Sequence, residues 1–131
     1  MTNLSEQLQS ADWKKEKHVP VIECPDSVPA DHYFAVTVSI GKEIAHPNTS
    51  GHHIRWIALY FKADDEKFTH QVGMFYFDAH GESVEGPDQG SVMTDHGVTV
   101  RMKINKPGTL MASSLCNIHG LWQSSKQIAI A

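Results

Sequence analysis

The sequence has 131 residues, of which 40% are hydrophobic and 20% are charged, and its formal net charge at pH 7 is −4. This length and composition are typical of a single globular domain, and they exclude a disordered or fibrous chain. The acidic balance argues against nucleic acid or an anionic membrane as a partner, because phosphate groups are bound by clustered Lys and Arg.

The chain carries no membrane or export signal that the sequence makes visible. No stretch approaches the roughly 20 apolar residues of a membrane span, and residues 1–13 lack the basic and apolar regions of a signal peptide. We therefore expect a cytoplasmic protein. In that reducing compartment, Cys24 and Cys116 are expected to be free or metal-bound rather than joined in a disulfide.

The hydrophobic pattern predicts a short helix at the N terminus and strands after Pro20. Leu4 and Leu8 have helical spacing. Alternation in 34–40 and in 98–104 places apolar side chains on one face of each segment, as in half-buried strands. Aromatic and branched residues predict further strands in H-I-R-W-I-A-L-Y-F, V-G-M-F-Y-F-D-A, G-T-L-M-A-S-S-L and Q-I-A-I.

Turns rich in Gly, Pro, Asn and Asp separate these segments. About seven short strands at this spacing indicate an all-β protein, an antiparallel β-sandwich with immunoglobulin-like architecture. We expect one domain over residues 1–131, with a short helical or irregular segment at its start. The polar residues 79–95 are expected to form a surface excursion.

Histidine is unusually frequent, with nine residues. Those that lie in or beside polar turns, or open a strand, are expected to be solvated: His32, His70, His80 and His96. Others lie at the mouths of turns near strand ends, where side chains from separate strands can converge. These are His18, His46, His52 and His53.

The pair Cys116 and His119 has the spacing of half a metal site, which by itself is a weak signal. A structural zinc site would require more cysteines than the chain has. Several imidazoles with one thiolate suit a redox-active transition metal. A copper protein of cupredoxin type is an alternative, although no Met follows Cys116, and a binding module with incidental histidines is another.

Three stretches, E-K-H-V-P-V-I-E, H-P-N-T-S-G-H-H-I-R-W-I-A-L-Y-F and C-N-I-H-G-L-W, together resemble the superoxide reductase family in its short single-iron form, neelaredoxin. The resemblance implies a seven-stranded immunoglobulin-like sandwich that holds one mononuclear iron. The implied ligands are His18, His46, His52, Cys116 and His119. The choice of His52 over His53 rests on the motif alone.

The same resemblance implies one-electron reduction of superoxide to hydrogen peroxide, with re-reduction by an external donor such as rubredoxin. Lys17 is implied to attract superoxide, and Glu16 to occupy the sixth iron position in the oxidised state. Cys24 is not an implied ligand. The four-Cys iron domain of longer relatives is not expected in a chain with two cysteines, and short relatives suggest a homo-oligomer, a tetramer or dimer.

Overall fold

A computed structural model of the chain describes residues 2–131, which form one short helix and eight strands. The elements in chain order are α1 (Leu4–Gln7), β1 (Val21–Glu23), β2 (Ser27–Val28), β3 (Phe34–Ser39), β4 (Ile54–Ala63), β5 (His70–Tyr76), β6 (Gly97–Met102), β7 (Gly108–Cys116) and β8 (Gly120–Ile130). The predicted short N-terminal helix is therefore present. It spans a single turn.

The strands form two sheets, one of three strands in the order β1-β3-β6 and one of five in the order β2-β8-β7-β4-β5. Every strand pair is antiparallel except β2 with β8, which is parallel. The predicted β-sandwich is confirmed. The described residues contain one strand more than the seven expected, and the two-residue strand β2 is too short for a sequence pattern to reveal.

The core lies between the sheets, and the alternation of β3 explains why. Val36 and Val38 are fully buried, and Ile40 is buried just beyond the strand. Val98 and Val100 on β6 pack against the same core from a partly buried position. Period-2 alternation thus correctly predicts which face of these two strands is apolar.

The long strands of the five-stranded sheet bring distant residues to one end. Strand β4 pairs with β7, so that Ile54 at the start of β4 lies opposite Cys116 at the end of β7. Strand β8 then pairs back along β7, with Gly120 opposite Cys116. The loop before β4 and the turn after β7 therefore meet.

The N-terminal segment, residues 9–20, belongs to neither sheet and runs beside β8. Gln9 forms a parallel bridge with Trp122, with backbone hydrogen bonds of 3.0 Å to Leu121 and 2.9 Å from Gln123. This contact carries residue 18 towards the same end of the sheet. In the part of the chain described, no helix has the length and apolar character needed to cross a membrane.

Candidate metal centre

Four side chains from three parts of the chain converge at the end of the five-stranded sheet, where the loop before β4 meets the turn after β7. His18, His52, Cys116 and His119 each offer one donor atom, and these atoms all lie within 4.8 Å of one another. His119 is central to the group. Its Nδ1 lies 3.1 Å from Nε2 of His18, 3.2 Å from Nε2 of His52 and 3.8 Å from Sγ of Cys116.

The turn between β7 and β8 positions Cys116 and His119 side by side. Gly120 closes this turn with φ of +80°, in the left-handed region that glycine adopts without strain. The backbone N–H of His119 donates to Sγ of Cys116 at 3.3 Å. This contact places an N–H donor at the sulfur, and the thiolate is the form of cysteine that binds metals.

His46 lies against this cluster with one unused nitrogen. Its ring centroid is 4.9 Å from those of His18 and His52. Nδ1–H donates to the carbonyl of Pro47 at 2.6 Å, and Nε2 is buried without a partner in the described chain. Burial lowers the pKa of His46 from 6.5 to about 4, so that this nitrogen keeps its lone pair at neutral pH.

Glu16 fixes the orientation of His18. Its Oε1 accepts the backbone N–H of His18 at 3.0 Å and Nδ1–H at 2.6 Å, which leaves Nε2 of His18 free to face the cluster. Burial raises the pKa of Glu16, but these hydrogen bonds outweigh that effect and hold the pKa below its usual 4.5. A carboxylate behind a metal-binding imidazole is a common supporting arrangement.

Lys17 is partly buried and lies near the cluster. Burial is the main cause of the lowered pKa of His52, and electrostatic repulsion from the neighbouring His119, His18 and Lys17 lowers it further. The ammonium of Lys17 is therefore close enough to act electrostatically on His52.

The two adjacent histidines of the H-H pair have different surroundings. His52 belongs to the cluster. His53 is buried, its Nδ1–H donates to the carbonyl of Thr49 at 2.9 Å, and its ring stacks on His80 at 3.5 Å between centroids. The geometry therefore brings His52 to the cluster and leaves His53 outside it.

The prediction that all four turn histidines are solvated is wrong for two of them. His32 and His70 are exposed, but His80 is 4% exposed. His96 is partly buried, and its ring lies 5.7 Å from that of His46. Burial lowers the pKa of His96.

His80 is buried and His96 is partly buried because the excursion, residues 79–95, folds back over the loop that carries His46 and His52. Nδ2 of Asn48 donates to the carbonyl of Thr94 at 2.9 Å. Oδ1 of Asp88 accepts the backbone N–H of Ser50 at 2.6 Å. The polar composition of the excursion correctly predicts a surface segment but does not show that it packs on the ligand loop.

Two residues of the C-N-I-H-G-L-W stretch also contact the cluster or its supporting loop, namely Asn117 and Trp122. Their residue types do not distinguish them from structural residues. The available signal is that they lie in the same short stretch as Cys116 and His119.

The donor set fits a transition-metal ion. Imidazole nitrogens in neighbouring positions around one ion, at about 2.1 Å from it, are about 3 Å apart. The observed N···N separations of 3.1 and 3.2 Å agree with this value. A thiolate among imidazoles favours a borderline or soft metal over magnesium or calcium, and His46, whose Nε2 has no partner, lies outside this group of four but against two of its rings.

Comparisons with known proteins agree with this geometry. The family model described as Desulfoferrodoxin matches residues 10–125. Neelaredoxin from Megalodesulfovibrio gigas is 61% identical over 97% of this chain and 98% of its own. Superoxide reductase from Pyrococcus furiosus is 50% identical over 92% of this chain and 95% of its own.

Solved structures also match this chain over nearly its whole length. The crystal structure of a putative superoxide reductase from Thermotoga maritima has a TM-score of 0.97 and 50% identity, and the match covers 100% of this chain and 99% of that one. Superoxide reductase (neelaredoxin) from Archaeoglobus fulgidus, in the reduced form, has a TM-score of 0.87 and 49% identity over 93% and 98% of the two chains. The chain therefore belongs to the desulfoferrodoxin family, alongside the neelaredoxins and superoxide reductases.

Proposed function

We propose that the protein is a superoxide reductase that converts superoxide to hydrogen peroxide at one mononuclear non-haem iron. The proposed iron ligands are His18, His46, His52, Cys116 and His119. The observation that carries the proposal is the convergence of three imidazole nitrogens and a thiol, with the ring of His46, whose Nε2 has no partner, against those of His18 and His52. The assignment of superoxide as the substrate rests on the names of similar proteins, a neelaredoxin and a superoxide reductase.

Iron bound here would supply one electron to superoxide and would be re-reduced afterwards. Hydrogen bonds within the chain orient the donor atoms that such an ion would need. The carbonyl of Pro47 and the carboxylate of Glu16 hold the Nδ1–H groups of His46 and His18, so that both Nε2 atoms keep their lone pairs. The N–H of His119 donates to Sγ of Cys116, and burial at 1% exposure keeps water from this sulfur.

Attraction of the anionic substrate has to be local, because the net charge of the chain is −4. Lys17 is the cation whose charge reaches His52, and we assign to it the attraction of superoxide. The proposed role of Glu16 as a sixth ligand in the oxidised state requires a rearrangement. Its carboxylate first has to release the two N–H groups of His18.

The copper alternative has less support from the geometry. Blue-copper sites use two His and one Cys with a weak axial ligand. The present cluster has three imidazoles and one thiol, and His46 adds a fourth imidazole next to it. A binding module with incidental histidines does not account for donor atoms from residues as far apart as His18 and His119.

Further parts of the proposal concern the setting of the protein. We propose a single domain with one iron per chain, a cytoplasmic location and a rubredoxin-like electron donor. The free state of Cys24 and Cys116 supports a reducing compartment. We also propose a homo-oligomer, dimer or tetramer, which is supported by the exposed Met74, Phe75 and Tyr76 on the edge strand β5.

The proposal is tested by metal analysis, spectroscopy and product measurement on the purified protein. We expect iron rather than copper, and a blue colour on oxidation from thiolate-to-iron charge transfer that Cys116→Ser abolishes. The reduced protein should yield hydrogen peroxide in an amount equal to the superoxide consumed, without oxygen. Dismutation would give half that amount together with oxygen, and this result would overturn the assigned reaction.

A further inference from the structure

Asn117 joins the Cys116–His119 turn to the loop that carries His52. Its side-chain Oδ1 accepts the backbone N–H of His53 at 2.8 Å. Its Nδ2 donates to the carbonyl of Gly51 at 3.0 Å. Its own backbone N–H donates to the carbonyl of His53 at 3.1 Å. Asn117 therefore binds the chain on both sides of His52.

Other contacts do not fix this loop against the turn. The hydrogen bonds of the His52 backbone go to Thr49 within the same loop. The pairing of β4 with β7 reaches Ile54 opposite Cys116, but the register shifts between Ile54 and Trp56. Apart from the ring contact of His52 with His119, every hydrogen bond between 51–53 and 116–119 in residues 2–131 is made by Asn117.

The side chain has to be an amide of this length to make these contacts. One end accepts an N–H and the other donates to a carbonyl, and the carboxamide offers both functions. A carboxylate of the same shape keeps the acceptor but places negative charge against the carbonyl of Gly51. Alanine keeps only the backbone hydrogen bond.

We propose that Asn117 is a positioning residue that sets the direction of the His52 imidazole relative to the Cys116 thiolate. This inference rests on the proposed function, which makes both residues metal ligands. The side chain of Asn117 bonds to the backbone of Gly51 and His53, and Asn117 is not among the four converging donors. It acts through the backbone at Gly51 and His53, and so determines where Nε2 of His52 lies when an ion binds.

The test uses cobalt(II) as the bound ion, because its visible absorption reports ligand geometry without any redox turnover. The variants are Asn117→Asp and Asn117→Ala, and the matched control is Ile118→Ala. Ile118 is the next residue of the same turn, and its side chain is 59% exposed. Each metal-free variant is also unfolded by heat, so that global stability is measured separately.

We expect both Asn117 variants to shift the cobalt bands and to bind cobalt about 10- to 100-fold more weakly, as is typical when a supporting contact of a metal ligand is lost. Ile118→Ala should match the wild type in both measurements. Wild-type cobalt spectra and affinity in the Asn117 variants would overturn the inference. Loss of the folded state in both would also count against it, since Asn117 would then be a structural residue.

The outcome also separates this inference from the proposed function. If Cys116→Ser leaves the cobalt spectrum of otherwise wild-type protein unchanged, the ligand assignment itself fails. If Cys116→Ser removes the thiolate band while the Asn117 variants behave as wild type, only the positioning role fails.

Discussion

The indole ring of Trp122 stacks on the imidazole ring of His18, with centroids 5.0 Å apart and planes 15° from parallel. The same side chain donates from Nε1 to the carbonyl of His119 at 3.1 Å. One tryptophan thus contacts two proposed ligands that come from opposite ends of the chain. It also bridges to Gln9, so it links the N-terminal segment to the turn.

Substitution of Trp122 is expected to weaken metal binding in two steps. Trp122→Phe keeps an aromatic face for His18 but loses the hydrogen bond to His119, at a cost of about 1 kcal/mol. Trp122→Leu loses both contacts, and aromatic pairing contributes about 0.5–1.5 kcal/mol more. Metal retention against a chelator should fall in the order wild type, Phe, Leu. Equal retention in all three proteins would remove Trp122 from the support of the centre.

The two residues of the H-H pair should respond differently to alanine. His52→Ala removes a proposed ligand, so we expect metal loss on dialysis and near-normal stability of the metal-free protein. His53→Ala removes the imidazole donor to the carbonyl of Thr49, which still accepts the backbone N–H of His52, and it removes the stacking on His80, so we expect the free energy of unfolding to fall by about 1 kcal/mol. It should keep its metal below the unfolding temperature. Metal loss in His53→Ala with retention in His52→Ala would reverse the assignment.

Lys17 and Glu16 are neighbours in the sequence, but we expect them to act at different stages of the reaction with superoxide. Lys17→Ala should slow the bimolecular reaction of reduced protein with superoxide, on the order of tenfold, and should weaken its dependence on salt. Glu16→Ala should leave that step nearly unchanged and alter the spectrum of the oxidised protein. Pulse radiolysis at two ionic strengths measures both effects. A wild-type rate and salt slope in Lys17→Ala would show that the attraction comes from the metal alone.

The stability of the metal-free protein should depend on pH through His46. Burial lowers its pKa from 6.5 to about 4 in the folded state. Between these values the unfolded chain binds a proton that the folded chain does not, so the free energy of unfolding falls as pH decreases from about 6.5 towards 4. The lowered pKa values of His52 and His96 act in the same direction.

Denaturant unfolding of metal-free protein at several pH values in this range measures the slope. His46→Gln should be less dependent on pH than the wild type, because the titrating imidazole is gone. An identical slope in the two proteins would assign the pH dependence to other groups.

The sequence was sufficient for the features that depend on local pattern. Alternation predicts the buried faces of β3 and β6. The three motifs contain His18, His52 and His119, which the fold brings to Cys116, and the full ligand set with His46 stays a prediction. The burial of His80 and His96 was not predictable in this way, because it depends on how the excursion packs on the ligand loop. The contacts of Asn117 likewise depend on the meeting of segments that are 64 and 66 residues apart.

The placement of His18 has a consequence for how metal would leave the protein. Cys116 ends a strand that is paired on both sides, whereas His18 lies in residues 9–20, outside both sheets, which are joined to β8 by the bridge at Gln9, by Trp122 and by the hydrogen bond from Oγ of Ser124 to the carbonyl of Pro20. Segments with few backbone hydrogen bonds open locally at a much lower free energy than global unfolding. Dissociation of the ion should therefore follow detachment of this segment, with the sandwich intact. The rate of metal exchange would then equal the rate at which the amides near His18 lose protection from hydrogen exchange.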